Sequence, residues 1–147
     1  MRPPWALPES GFASACSRCG DCLTACPTKI LVRGDGGYPT LDFSLGQCTF
    51  CGACVETCKD GALHCLADAD PWAARAAVAE SCLANQRVVC RVCGDVCEYT
   101  AISYLVEPGG RALPRIDVSK CTGCGACVAG CPVRAITVTC SEAALAA

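Results

Sequence analysis

Eighteen of the 147 residues are cysteine, and their spacing marks where chemistry can occur. Cys16, Cys19, Cys22 and Cys26 form a first run, Cys48, Cys51, Cys54 and Cys58 a second, and Cys121, Cys124, Cys127 and Cys131 a fourth, each reading C-x2-C-x2-C-x3-C. A third run is irregular: Cys90, Cys93 and Cys97 match the last three positions, and Arg87 stands where the first would be. Thiolates are soft metal ligands. Thiols two or three residues apart in one tight loop point inward at a shared guest rather than at each other, unlike the partners of a disulfide framework. Gly20, Gly52 and Gly125 each follow the second cysteine of a regular run. A residue without Cβ lets backbone amides approach the sulfurs and hydrogen-bond to them.

The elements that position these thiols must come from a chain with little else to pack. The hydrophobic fraction of 52% counts the cysteines and falls to roughly 40% without them. With only 2 Trp, 3 Tyr and 3 Phe, the core needs staples, and bound metal is one kind. Met1-Arg2-Pro3-Pro4-Trp5 lacks the apolar run of a secretory signal. No stretch is long and apolar enough for a membrane span. The formal charge of −2, with no basic block, argues against nucleic acid as a partner.

The C-x2-C-x2-C-x3-C spacing resembles that of bacterial ferredoxins, which implies [4Fe–4S] clusters. Zinc is the rival, but its sites take two cysteines from each of two knuckles rather than three plus one. For run three, Cys82 is the nearest upstream thiol and is expected to replace the missing first ligand, giving C-x7-C-x2-C-x3-C; the alternative is a three-cysteine cluster, or none. With sixteen thiols as ligands, each oxidised cluster adds about −2, for a total of roughly −10, which a basic partner surface would complement. Cys65 and Cys140 are left over and read as buried apolar thiols.

The residues after each run repeat as well. Five residues after the last cysteine stands Leu31, Leu63, Ile102 or Ile136, preceded in three cases by alanine (Ala62, Ala101, Ala135), and each is expected to pack over its own cluster. Two linkers carry an apolar strand, a Gly-Gly turn (Gly36-Gly37, Gly109-Gly110) and a second strand with an acidic residue (Asp42, Asp117), which predicts a β-hairpin in each. Between runs two and three, Asp70 as N-cap, Pro71 at the first helical position and abundant alanine predict a helix over about 71–83, with Trp72, Ala76 and Ala79 as its buried stripe. The expected fold is therefore α+β, with two tandem bacterial-type 2[4Fe–4S] ferredoxin-like modules at 1–66 and 67–147, and internal duplication as its origin.

In two-cluster ferredoxins the fourth cysteine of a run ligates the other cluster of its module. The resemblance thus implies Cys16, Cys19, Cys22 with Cys58, and Cys48, Cys51, Cys54 with Cys26. In the second module it implies Cys82, Cys90, Cys93 with Cys131, and Cys121, Cys124, Cys127 with Cys97. Some four-cluster subunits instead pair run one with four and two with three. Pro27 and Pro132 follow the final cysteine of the outer runs as in the signature, while Lys59 and Glu98 replace that proline in the inner runs.

Together, "RPPW" at 2–5, "RGDGGYPTLDF" at 33–43 and "CLANQRVVCRVCGDVCE" at 82–98 resemble the NapF-type ferredoxins over nearly the whole chain. The resemblance implies a cytoplasmic protein with four [4Fe–4S] clusters. It also implies binding to the catalytic molybdenum subunit of periplasmic nitrate reductase before export, with a role in that subunit's maturation by electron or cluster transfer. A plain electron carrier working with redox partner proteins is the alternative. An enzyme is not expected, since the chain has no nucleotide-binding glycine loop, acid–base pair or triad. RPPW reads either as a docking element anchored by Trp5 or as a tail folding onto its own module. The lone His64 reads as partly buried structure. Lys29, Lys59 and Arg134 read as cations softening the cluster field.

Overall fold

The computed structural model describes residues 1–65 and 70–140, where turns and loops join short strands and helices, the longest of them the seven-residue α1 (Glu9–Ala15). The chain divides into two units, Met1–Trp72 and Ala73–Ala147, so the boundary falls after Trp72 rather than after residue 66.

In the first unit, α1 is followed by α2 (Asp21–Ala25), a hairpin of β1 (Leu31–Arg33) and β2 (Pro39–Leu41), and α3 (Ala53–Glu56). The hairpin is antiparallel with Leu31 opposite Leu41. Its turn needs left-handed backbone at Gly36 (φ 63°) and Gly37 (φ 81°), which glycine adopts without penalty. The entry segment is built into this unit. Ala6 bridges Leu63, the Leu7 amide donates to the Ala62 carbonyl at 3.1 Å, and the His64 amide donates to the Trp5 carbonyl at 2.8 Å. The Arg2 guanidinium pairs with Glu9 and lies 4.8 Å from the Phe12 ring centre and 4.9 Å from that of Tyr38. Trp5 stands edge-on to Phe50 at 6.4 Å. Of the two readings of RPPW, the fold takes the one in which Trp5 packs on its own unit.

In the second unit, β3 (Ala74–Val78) precedes a 3₁₀ turn (Leu83–Gln86), α4 (Val92–Asp95), β4 (Ile102–Val106), β5 (Ala112–Ile116), α5 (Ala126–Ala129) and β6 (Ile136–Cys140). β4 and β5 form the second hairpin, Ile102 opposite Ile116, while β3 pairs antiparallel with β6, Val78 opposite Ile136. In both hairpins the acidic residue stabilises the exit turn: Asp42 accepts from the Ser44 amide (2.9 Å) and hydroxyl (2.6 Å), Asp117 from those of Ser119 (3.0 and 2.6 Å).

The helix expected over 71–83 does not form. Pro71 accepts the Trp5 amide through its carbonyl at 2.7 Å, and Trp72 packs edge-on to Phe43 (6.2 Å) and Phe50 (5.6 Å), so both serve the first unit. The alanines of β3 alternate as a strand does, with Ala74 and Ala76 buried and Ala77 exposed. Alanine's helix preference is at most about 0.7 kcal/mol per residue over ordinary residues, and a short isolated helix is marginal in water. A five-residue ladder with β6 outweighs it. The cysteine loop passes directly over the strand at Ala74, where a Cβ on Gly123 would clash with the Ala74 backbone.

Candidate iron–sulfur centres

The cysteine loops share one construction. The third cysteine of each run sits on a one-turn helix: Cys22 on α2, Cys54 on α3, Cys93 on α4 and Cys127 on α5. In the regular runs the residue before that helix is a left-handed glycine, Gly20 (φ 88°), Gly52 (φ 79°) or Gly125 (φ 87°). This backbone angle accounts for the recurring residue type better than close approach does, since a Cβ on Gly52 would meet nothing within 4 Å. Past the last cysteine every run makes the same left-handed step, at Lys29 (φ 57°), Gly61 (67°), Thr100 (48°) and Arg134 (51°). That step turns the chain back so that amides face sulfur: Ala101 donates to Cys97 Sγ at 3.3 Å and Ala135 to Cys131 Sγ at 3.2 Å.

Four hollows of nearly equal size result, each with about 340–360 Å³ of open space including its mouth. One is lined by Cys16, Cys19, Cys22 and Cys58, and a second by Cys48, Cys51, Cys54 and Cys26. In the other unit one is lined by Cys82, Cys90, Cys93 and Cys131, and one by Cys121, Cys124, Cys127 and Cys97. The structure thus gathers all sixteen thiols in fours, and the fourth cysteine of a run always lies in its neighbour's hollow. Cys82 joins run three because the 3₁₀ turn folds the intervening residues back, with the Asn85 amide donating to the Cys82 carbonyl at 2.9 Å and that of Val88 to Leu83 at 3.0 Å. Arg87 stays exposed.

Three expectations need correction. Leu31, Leu63, Ile102 and Ile136 line the hollow that holds their own run's fourth cysteine, which is the neighbouring run's site, not their own. Each comes after that cysteine through the same turn, so it is carried across with it. Cys65 and Cys140 are exposed rather than buried. His64 is exposed as well, its amide held by Trp5. Two of the three cations have specific contacts: Lys29 Nζ donates to the Thr24 carbonyl at 2.8 Å, closing the end of α2, and Lys59 lies 3.6 Å from Asp21.

The donor chemistry suits a bulky, electron-poor guest. Sulfur and apolar side chains dominate the walls, although Ser17, Arg18, Asp21 and Asp60 also line the hollow of Cys16, Cys19, Cys22 and Cys58, and among the described residues no three Cys, His, Asp or Glu side chains close on one point as a single ion requires. A tetrahedral zinc site would draw its sulfurs to about 2.3 Å from one centre. Cys54, Cys93 and Cys127 are buried, as is Cys26, and Cys22 is half-buried. Burial, then the neighbouring thiols, pushes Cys22 up to about 11 and Cys54 and Cys127 up to about 12, and burial also raises Cys93. In the metal-free chain these sulfurs keep their protons, which a bound metal must displace. Cys26 goes the other way: burial acts to raise it, but the Thr28 hydroxyl and the amides of Ile30, Leu31 and Thr28 outweigh that and favour the thiolate.

One contact explains the glycine at position 123. A Cβ on Gly123 (φ 71°) would lie 2.4 Å from the Ala74 carbonyl oxygen and 2.9 Å from its carbon. Gly123→Ala is therefore expected to displace the loop bearing Cys121 and Cys124. It should destabilise the protein by about 2–4 kcal/mol, from overpacking and a strained φ together. Thermal unfolding of the iron-loaded protein measures this; a wild-type midpoint would refute it.

Sequence reasoning missed Tyr104, whose hydroxyl lies 3.4 Å from Cys93 Sγ. The available signal was negative: run three has Arg91 where the regular runs have glycine.

Residues 13–63 match the family model described as "4Fe-4S dicluster domain", and residues 114–137 that described as "4Fe-4S binding domain". Run three falls between these stretches. The chain is 42% identical to the ferredoxin-type protein NapF of Escherichia coli K12, over 93% of this chain and 83% of that protein. It is 47% identical to the NapF protein of Haemophilus influenzae, over 94% and 78%. The methylamine utilization ferredoxin-type protein MauM of Methylophilus methylotrophus is 36% identical, over 89% and 66%. Among the described residues no helix is long and apolar enough to cross a membrane. With cubane-type thiol hollows set in an α+β ferredoxin-like fold, and with relatives this close along nearly its whole length, the chain is an iron–sulfur protein that belongs to the NapF-type ferredoxins.

Proposed function

We propose that the chain holds four [4Fe–4S] clusters in two tandem two-cluster modules, one for each hollow, with the four cysteines lining that hollow as ligands. We further propose that it acts in the cytoplasm on the catalytic subunit of periplasmic nitrate reductase, assisting that subunit's maturation before export by electron or cluster transfer. The observation that carries the cluster assignment is the recurrence of four thiols around a hollow of one size, four times over, with Cys82 completing the irregular set. When bound, the clusters supply one-electron chemistry at potentials set by their surroundings. The chain's own residues provide the ligands, the amides that face sulfur and the largely apolar side chains beside them.

Likeness to the methylamine utilization protein MauM favours a second reading, a general electron relay that serves different systems through different partners. Capture experiments with the full iron-loaded chain separate the two. A maturation partner retains the cofactor-free catalytic subunit and releases the finished one; equal retention of both, with turnover-competent reduction, would favour the relay and sink the maturation role.

A further inference from the structure

Run three lacks the left-handed glycine that sets up the helix in the other runs. Arg91, in that place, has φ −131°. A side chain from the hairpin fills the gap. The Tyr104 hydroxyl, half-buried on β4, donates to the Arg91 carbonyl at 2.8 Å, accepts the Gly94 amide at 3.0 Å and lies 3.4 Å from Cys93 Sγ. It thus ties the residues on both sides of Cys93 to the strand. The fit is tight: a Cβ on Gly94 would lie 2.7 Å from the Tyr104 oxygen and 2.8 Å from its Cε2, so glycine at 94 makes room for the phenol. The Arg91 guanidinium covers the ring at 5.2 Å.

The corresponding position in the first unit shows what is particular to tyrosine. Tyr104 stands two residues after Ile102, as Arg33 does after Leu31. Arg33 reaches the loop of run one in the same way, donating to the Arg18 carbonyl at 3.2 Å. It does so beside a left-handed glycine that already shapes the loop, and it bonds to the backbone oxygens of Arg18 and Gly37 rather than to sulfur.

We propose that Tyr104 is a positioning and potential-setting residue for the hollow lined by Cys82, Cys90, Cys93 and Cys131, replacing the missing glycine and donating a hydrogen bond to the Cys93 sulfur. The inference rests on the four-cluster reading of the hollows. The hydroxyl has one proton and two acceptors within reach. A metal-bound thiolate carries charge that a carbonyl does not, and charge-assisted hydrogen bonds are the stronger. Such a bond stabilises added negative charge on the sulfur, and so favours the reduced state of whatever that sulfur ligates.

The test uses the full chain, purified without oxygen, as wild type, Tyr104→Phe and Gly94→Ala. The first variant removes the hydroxyl and keeps the ring; the second drives the ring away through the clash of its Cβ with the phenol. Iron and sulfide content are measured alongside a redox titration followed by electron paramagnetic resonance. The expected result is one cluster signal whose midpoint potential falls in both variants while the others hold, with iron content close to wild type in Tyr104→Phe. Unchanged potentials in variants that retain their iron would overturn the proposal. So would loss of one cluster in both variants with no shift in those remaining, since that would make Tyr104 a structural support alone. A wild-type protein without clusters would instead defeat the reading on which the inference rests, and is told apart by its iron content.

Discussion

On the proposed four-cluster assignment, Cys82→Ser will lower the iron of the anaerobically purified protein by about a quarter, with a matching loss of acid-labile sulfide, because it removes one of the four thiols lining one of four similar hollows. The neighbouring residues give no substitute. Arg87, which occupies the position the regular pattern assigns, cannot ligate iron and is exposed. Apart from Cys90, Cys93 and Cys131, which already line this hollow, the thiols of the unit line the other hollow or, as with Cys140, are exposed outside both. The 3₁₀ turn explains why a seven-residue gap is tolerated. Buried Ala84 and the Asn85 side-chain amide, which donates to the Glu80 carbonyl at 3.1 Å, keep the excursion compact and return the chain to Cys90. Cys65→Ser and Cys140→Ser serve as controls, since neither side chain lines a hollow, and both should keep full iron. An unchanged iron count in Cys82→Ser would remove Cys82 from the ligand set.

Stripping the metal will unfold most of the chain. The largest fully buried side chains among the described residues are Phe12 and Ile30, and the rest of the buried set is mostly alanine and cysteine. Such a core is built around the hollows rather than filled by side chains. Without a guest, the side chains that line each hollow lose the atoms they would pack against, and little other buried surface remains to offset the cost of ordering the chain. Structural metal sites behave in the same way, with binding free energy acting as folding free energy. Chelation under reducing conditions should abolish the strand signal in far-ultraviolet circular dichroism and expand the hydrodynamic radius. A metal-free chain that kept a cooperative thermal transition would contradict this account.

Both hairpins were legible because their signals are local. Gly36-Gly37 and Gly109-Gly110 take the left-handed angles that such turns demand, and Asp42 and Asp117 close the exits through their own neighbours. The alanine stretch misled for the opposite reason. Its helix propensity is local and weak, whereas its real partner, β6, lies some sixty residues further on. Trp72 was misplaced with it, because nothing near it in the chain signals Phe43 and Phe50.

From the sequence alone came the grouping of the thiols in threes and the two hairpins, since three thiols in one short loop converge through backbone geometry that the loop itself supplies. The tertiary structure decided which distant cysteine lines each hollow, that Cys82 reaches its hollow, that RPPW is part of the first unit's own packing, and that the Tyr104 hydroxyl meets the loop of run three. Those outcomes depend on strand pairing and on where a turn delivers a side chain, and such long-range geometry leaves no mark on the spacing of neighbouring residues.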